Sequence, residues 1–194
     1  MGKDLKISVA ALVITISLLL ILVLFYIYVV NTKRITNIMD QKTALQNVVT
    51  TLSHVLENVG GKVDTTKGEH INHQNTPALA ELLDSLERVL VLPKEEAYVF
   101  IMDTTGQEIV NGGNPELARA PDGSRPYRNL SGVADGSGEK LTEKILQTAA
   151  AGGGFVEYSW KNPHTKKMGN KVAYVRTVPG TEWVVGSGIY MDSK

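Results

Sequence analysis

The sequence contains no cysteine, which excludes disulfide staples, thiolate metal centres and cysteine nucleophiles while leaving the compartment open. It carries no excess of either charge: 20 Lys and Arg stand against 20 Asp and Glu. Such a balance gives no basic footprint for nucleic acid, and no nucleic-acid partner is expected. Catalytic patterns are missing too. No serine sits in a G-x-S-x-G elbow, and Gly152-Gly153-Gly154 follows a helical pattern instead of opening one, with no Lys-Ser/Thr pair behind it. Asp135, Ser137 and Glu139 match a fragment of a calcium loop, and Glu69, His70 and His73 lack a fourth ligand. Neither enzymatic activity, a cofactor nor a metal is expected.

What is present begins with a long apolar run. Ile7 to Val30 contains no charged residue, and as a helix it would reach roughly 36 Å, enough for a hydrocarbon core of about 30 Å. Phe25, Tyr26 and Tyr28 gather at its far end like an aromatic belt. The run is long for a signal peptide and no small-x-small cleavage site follows it. The expectation is a retained single-pass transmembrane helix over 7–30, with a cytoplasmic tail at 1–6. Lys3 and Lys6 on one side nearly balance Lys33 and Arg34 on the other, so charge alone does not orient the span.

Beyond the membrane, Ile35, Ile38, Leu45, Val49, Leu52, Leu56 and Val59 recur at steps of three and four, with Lys42 the polar member of the seam. This predicts a long juxtamembrane helix over 31–60 that stops at Gly60-Gly61. Its stripe can pack on a sheet of its own domain, pair with a second copy as a short coiled coil, or do each along different lengths. Thr76-Pro77 reads as an N-cap and first-turn proline. Leu79, Leu82, Leu83, Leu86 and Leu90 then form the apolar face of a short helix ending before Pro93.

Five stretches read as strands. Ala97–Asp103 and Gln107–Asn111 flank the tight turn Thr104-Thr105-Gly106. Phe155–Trp160, Lys171–Val178 and Glu182–Tyr190 are separated by Asn162-Pro163, Gly169-Asn170 and Pro179-Gly180, and the short links call for an antiparallel meander. Between the two groups, 112–138 is rich in Gly, Pro, Asn, Asp and Arg and reads as a long binding loop or lid. A modest helix over 139–151 follows it. The expected fold class is α+β: a transmembrane helix continuing into a long amphipathic helix, then a PAS-like five-stranded antiparallel sheet with helices on one side.

Alternation along the meander puts Val156, Tyr158 and Trp160 on one face. Val172, Tyr174 and Arg176 share a face of the next strand, and Lys171, Ala173 and Val175 the other. Gly186 and Gly188 clear room on one face of the last strand for a helix or a ligand. Tyr158, Trp160 and Tyr174 offer rings with a polar tip to a pocket. Lys171, Arg176 or a lid arginine (Arg119, Arg125, Arg128) offers a cation for a carboxylate.

The order of these motifs resembles a single Cache domain, the PAS-like extracytoplasmic sensor module of prokaryotic receptors. The likeness runs from about Leu52 to Asp192. It is carried by Tyr98–Asp103 with Gly106, Asn114–Leu117, Asp122-Gly123, Gly154–Trp160, Asn162-Pro163, Lys171, Tyr174 and Val184–Tyr190. The resemblance implies a domain over 61–194 that binds a small organic acid, amino acid or similar metabolite between sheet and lid. Carried across position by position, the implied ligand-binding residues are Tyr98, Phe100, Asn111, Tyr158, Trp160, Lys171 and Tyr174.

The expected protein is therefore a membrane-anchored extracytoplasmic sensor, periplasmic or at the cell surface, with its N-terminus inside. A homodimer through the long helix is expected. No second span, HAMP linker or output domain follows in this sequence, so the expectation is either a stand-alone Cache protein or a separate signalling protein on another polypeptide. The alternative reading is a ligand-free scaffold subunit serving a membrane receptor or kinase.

Overall fold

The computed structural model describes residues 9–60, 63–88, 90–92 and 97–191, with side chains over 22–58, 63–88 and 97–191. Helix α1 runs Val9–Gly60, α2 Pro77–Glu87 and α3 Leu141–Ala150. The strands are β1 (Leu90–Leu92), β2 (Ala97–Asp103), β3 (Gln107–Asn111), β4 (Arg128–Asn129), β5 (Gly154–Lys161), β6 (Met168–Thr177) and β7 (Trp183–Tyr190). Two compact units divide within α1, between Gln41 and Lys42. The expected tail and the first residues of the expected span lie outside the described residues, as do the side chains of α1 up to position 21. Among the described residues no helix is long and apolar enough to cross a membrane.

The sheet is antiparallel throughout, in the order β4-β3-β2-β7-β6-β5, with β1 added against the start of β2. The hairpin and the meander join edge to edge: Tyr98 pairs with Gly188 and Asp103 with Trp183. Among the described residues seven strands stand where five were expected. The two extra ones are short, and neither two nor three residues can display a period-two pattern. Strand β1 also takes Leu90 away from the helix: α2 ends at Glu87, with Arg88 as its C-cap.

Alternation sends side chains of β2, β6 and β7 to two cores, and the helices are not all on one side. Leu45, Val49 and Leu56 of α1 and Leu79, Leu83 and Leu86 of α2 cover one face, against Val99, Ile101, Ile109, Tyr174, Trp183, Val185 and Ile189. The opposite face carries α3 through Leu141, Ile145 and Ala149, with Leu130 of the lid, over Phe100, Met102, Val156, Tyr158, Val175 and Val184. A sheet apolar on both faces needs cover on both. The stripe of α1 thus packs on its own sheet from Leu45 to Leu56, whereas Ile35 and Met39 are 59% and 64% exposed.

The space cleared by the two glycines of β7 is filled from within the sheet. The Phe100 ring lies over Gly186, and a β-carbon at Gly188 would come within 2.6 Å of the Val172 carbonyl oxygen and 2.7 Å of Ala173 Cβ. Because the Val172 oxygen belongs to the ladder, it cannot swing aside. Gly188→Ala is expected to cost about 1–2 kcal/mol through overpacking, read as a lower urea midpoint at unchanged slope.

Candidate ligand pocket

The face of the sheet that carries α3 and the lid encloses two adjoining cavities with Tyr98, Asn111 and Trp160 as shared walls. The outer one, about 280 Å³, is completed by Gly113, Asn114, Leu117, Arg128, Lys161, Asn162, Pro163 and Lys166. An inner recess of about 30 Å³ is closed by Phe100, Met102, Glu108, Leu130, Leu141, Ile145, Tyr158 and Lys171. The recess is thus apolar at its lid and α3 end and polar where β2, β3 and β6 supply Tyr98, Glu108 and Lys171.

Lys171 sits in the middle strand of the meander, opposite Tyr158 on one side and Tyr190 on the other. It is 1% exposed. Its Nζ lies 3.5 Å from the centroid of the Tyr98 ring, 5.3 Å from that of Tyr190 and 5.7 Å from that of Phe100. These ring faces offer a cation partial compensation for lost water. Among the described residues no carboxylate reaches it within ion-pair distance. Burial holds its pKa well below the usual lysine range, with Glu108 pulling the other way.

Glu108 is the second buried charge-bearing group, 4% exposed. Its Oε1 accepts a hydrogen bond from Asn111 Nδ2 at 2.9 Å, while Oε2 has no partner among the described residues. Burial pushes its pKa up to about 7, against the lowering influence of Arg128, Asn111 and Lys171 and with a small upward push from Glu87. Asn111 is fully committed on that side: its Oδ1 accepts the backbone N–H groups of Gly113 at 3.1 Å and Asn114 at 2.9 Å. It therefore holds the start of the lid and one oxygen of Glu108 together.

Six of the seven expected residues meet here: Tyr98, Phe100, Asn111, Tyr158, Trp160 and Lys171 line these cavities. Tyr158 and Trp160 make an edge-on pair at 6.4 Å. Tyr174 does not join them. It points to the α1 face, where it belongs to the core with Leu45 and Val49 and meets Phe155 edge-on at 5.0 Å. The parity of β6 already separates Tyr174 from Lys171, and the structure follows the parity.

Of the cations considered, Arg128 reaches the outer cavity. Arg119 and Arg125 are engaged with Asp84 and Glu87 of α2. In the polar loop, Glu69 accepts the backbone N–H of Asp64 at 2.8 Å and His73 pairs with Asp84 at 3.1 Å. Among the described residues no group of three or more His, Asp or Glu is arranged around a metal position.

Glu108 was missed by the strand pattern for a local reason. The register between β2 and β3 shifts between Ile101 and Met102, so that Asn111 opposes Phe100 and Glu108 opposes Met102. This bulge puts residues three apart on the same face, where strict alternation would set them on opposite faces. The only signal for it is the carboxylate itself, in a strand otherwise filled by Ile109 and Val110.

Comparison with known proteins agrees with this architecture. Residues 37–193 match the Single Cache domain 2 family. A sensor histidine kinase, MctS, from Rhizobium johnstonii is 32% identical over 98 residues, half of this chain, and the chain spans 20% of that protein's length. The periplasmic sensor domain of a chemotaxis protein superposes with a TM-score of 0.59 at 25% identity, covering 80% of this chain and 98% of that one. A Cache chemosensory domain described as recognising carboxylic acids superposes with a TM-score of 0.54 at 22% identity, over 78% of this chain and 88% of its own, a likeness of fold. With the match spanning the lower part of α1, the whole sheet and the lid, this chain belongs to the Single Cache domain 2 family of extracytoplasmic sensor modules.

Proposed function

We propose that this protein is a membrane-anchored extracytoplasmic sensor that binds a small organic acid or amino acid in the cavity between β2, β6 and the lid. The observation that carries the reading is Lys171. A lysine amine buried to 1% exposure beside a cavity, with rings around it and, among the described residues, no carboxylate within ion-pair distance, is held ready for an anion that arrives from outside. Arg128, Lys161 and Lys166 on the outer cavity favour entry of an anion through their summed field. The outer volume of about 280 Å³ suits a ligand of a few carbon atoms.

Anchoring falls to the apolar run Ile7 to Val30, with the N-terminus inside and the domain outside the membrane. The exposed Ile35 and Met39 favour pairing of two copies along the membrane-proximal part of α1. Ligand bound under the lid would bias the pairing by its differential affinity for two arrangements, and a kinase or receptor would read the change. The relatives that signal through a histidine kinase or in chemotaxis support that direction of output.

The test is isothermal titration of the chain with a panel of short organic acids and amino acids. Saturable binding of at least one compound is expected. Flat heats across the panel would overturn the ligand-binding reading and leave the scaffold role in its place.

A further inference from the structure

Lys171 and Glu108 face the same recess, yet they are not joined, and among the described residues Oε2 of Glu108 has no donor. A buried acceptor without a partner is costly, so whatever fills the recess should bring a hydrogen to it. Two sources exist: a donor on the ligand, or a proton on Glu108 itself.

The surroundings favour the proton. An ammonium would need several acceptors, and Glu108 Oε2 is the one carboxylate oxygen free there, since Asn111 Oδ1 is already taken by Gly113 and Asn114. Next to Glu108 the recess is closed by Met102, Leu130, Leu141 and Ile145, a floor for a methyl or ethyl group. A ligand carboxylate seated on Lys171 also brings a second negative group to the buried Glu108. Two carboxylates so placed do not both stay ionised.

We propose that the pocket takes a short monocarboxylate together with one proton, the ligand carboxylate pairing with Lys171 and Glu108 Oε2–H donating a hydrogen bond to it. This rests on the sensor reading above and adds a pH dependence to it. The charged and titratable groups facing Glu108 are Arg128 across the strand pair on β4, Lys171 on β6, Glu87 on α2, and the Tyr98 and Tyr158 hydroxyls of β2 and β5. Arg128 is half-buried on the outer wall, and its influence is already contained in the Glu108 value of about 7.

The sign follows directly. Below about pH 7 the free site already holds the proton, and affinity is flat. Above it, binding must capture a proton, and affinity falls roughly tenfold per pH unit. Titration of the full chain with sodium propionate in Pipes, Hepes and Tris, whose ionisation heats differ, reads the protons captured. At alkaline pH the unmutated chain is expected to capture about one proton more per propionate than Glu108→Gln does, and its affinity should fall more steeply with pH than that of the variant.

Equal capture by Glu108→Gln and the unmutated chain would assign the proton to Lys171 and overturn the proposal. So would propionate binding without capture in the unmutated chain; the sensor reading would then stand alone. Failure of propionate and acetate to bind at any pH, with another panel compound binding, would remove the monocarboxylate assignment and spare the sensor reading. Should Glu108→Gln not fold, infrared difference spectra of the unmutated chain with carboxyl-labelled propionate give the same answer. A protonated-carboxyl band appearing on binding supports the proposal, and its absence overturns it.

Discussion

Arg125→Met is expected to destabilise the fold by about 3–5 kcal/mol, the usual cost of removing one partner from a buried ion pair. Arg125 is 1% exposed. Its guanidinium donates to Glu87 at 2.8 Å, to the Ile109 carbonyl at 3.2 Å and to Asp84. Arg119 joins the same two carboxylates, and His73 lies on the other oxygen of Asp84. Burial is the largest influence on both Arg125 and Glu87, pushing each toward its neutral form, so the cluster is not a strong source of net stability. Its parts are nonetheless interdependent, because a lone carboxylate at Glu87 would be left facing the core with Arg119 as its remaining cation.

The cluster also explains how a loop of 27 residues, 112–138, holds a fixed course. It ties the lid to α2, while the Arg125 backbone pairs with Ile71 through bonds of 2.8 and 3.0 Å. Denaturation of the variant by urea measures the loss. Adding Glu87→Gln to Arg125→Met should recover part of it, because the stranded charge is then gone. A double variant no more stable than the single one would show that the cost lies in packing of the arginine stem.

Lys171→Met is expected to do the opposite to folding and to binding. Loss of a charge-assisted hydrogen bond to a carboxylate costs about 2–3 kcal/mol, roughly 30- to 150-fold in Kd. Methionine keeps the apolar stem among Tyr98, Phe100 and Tyr190 and removes a cation that burial disfavours. The melting temperature should therefore stay level or rise while ligand affinity collapses. Calorimetry on one sample reads both. A parallel fall in the two would mean that Lys171 is a structural residue and its place beside the cavity incidental.

The divide between what was legible and what was not follows the range of the forces involved. Strand β2 and strand β3 were readable to the residue, because two short runs, the first apolar throughout, on either side of a tight turn are a local signal. The stripe of α1 was readable for the same reason, at period 3.6. All seven expected pocket residues lie on β2, β3 or the meander, and six of them line the cavities. Tyr174 was drawn into the expected site by its ring with a polar tip and by family likeness, although its own parity with Val172 and Arg176 places it opposite Lys171. The pairing of Tyr174 with Phe155 across β5 and β6 then commits it to the α1 core.

Other features depend on partners distant in the chain. Which face each helix covers was decided by two apolar sheet faces, each needing its own cover, and α3 went to the side that α1 and α2 had left. The course of the lid was decided by Asp84 and Glu87, about 40 residues upstream of Arg125. Short strands such as β4 form only because Gln107 and Glu108 are there to pair with Asn129 and Arg128.

The sequence by itself determined the helices, the five longer strands, the antiparallel meander and the parity that sets Lys171 on the opposite face of β6 from Tyr174. Local periodicity, turn chemistry and strand parity suffice for those. Only the tertiary structure decided that Glu108 would face Lys171 across the same recess. That meeting needs a one-residue bulge between β2 and β3, the joining of the two strand groups along β2 and β7, and the closure of α3 over the floor. Each is a long-range packing outcome that no stretch of sequence encodes alone.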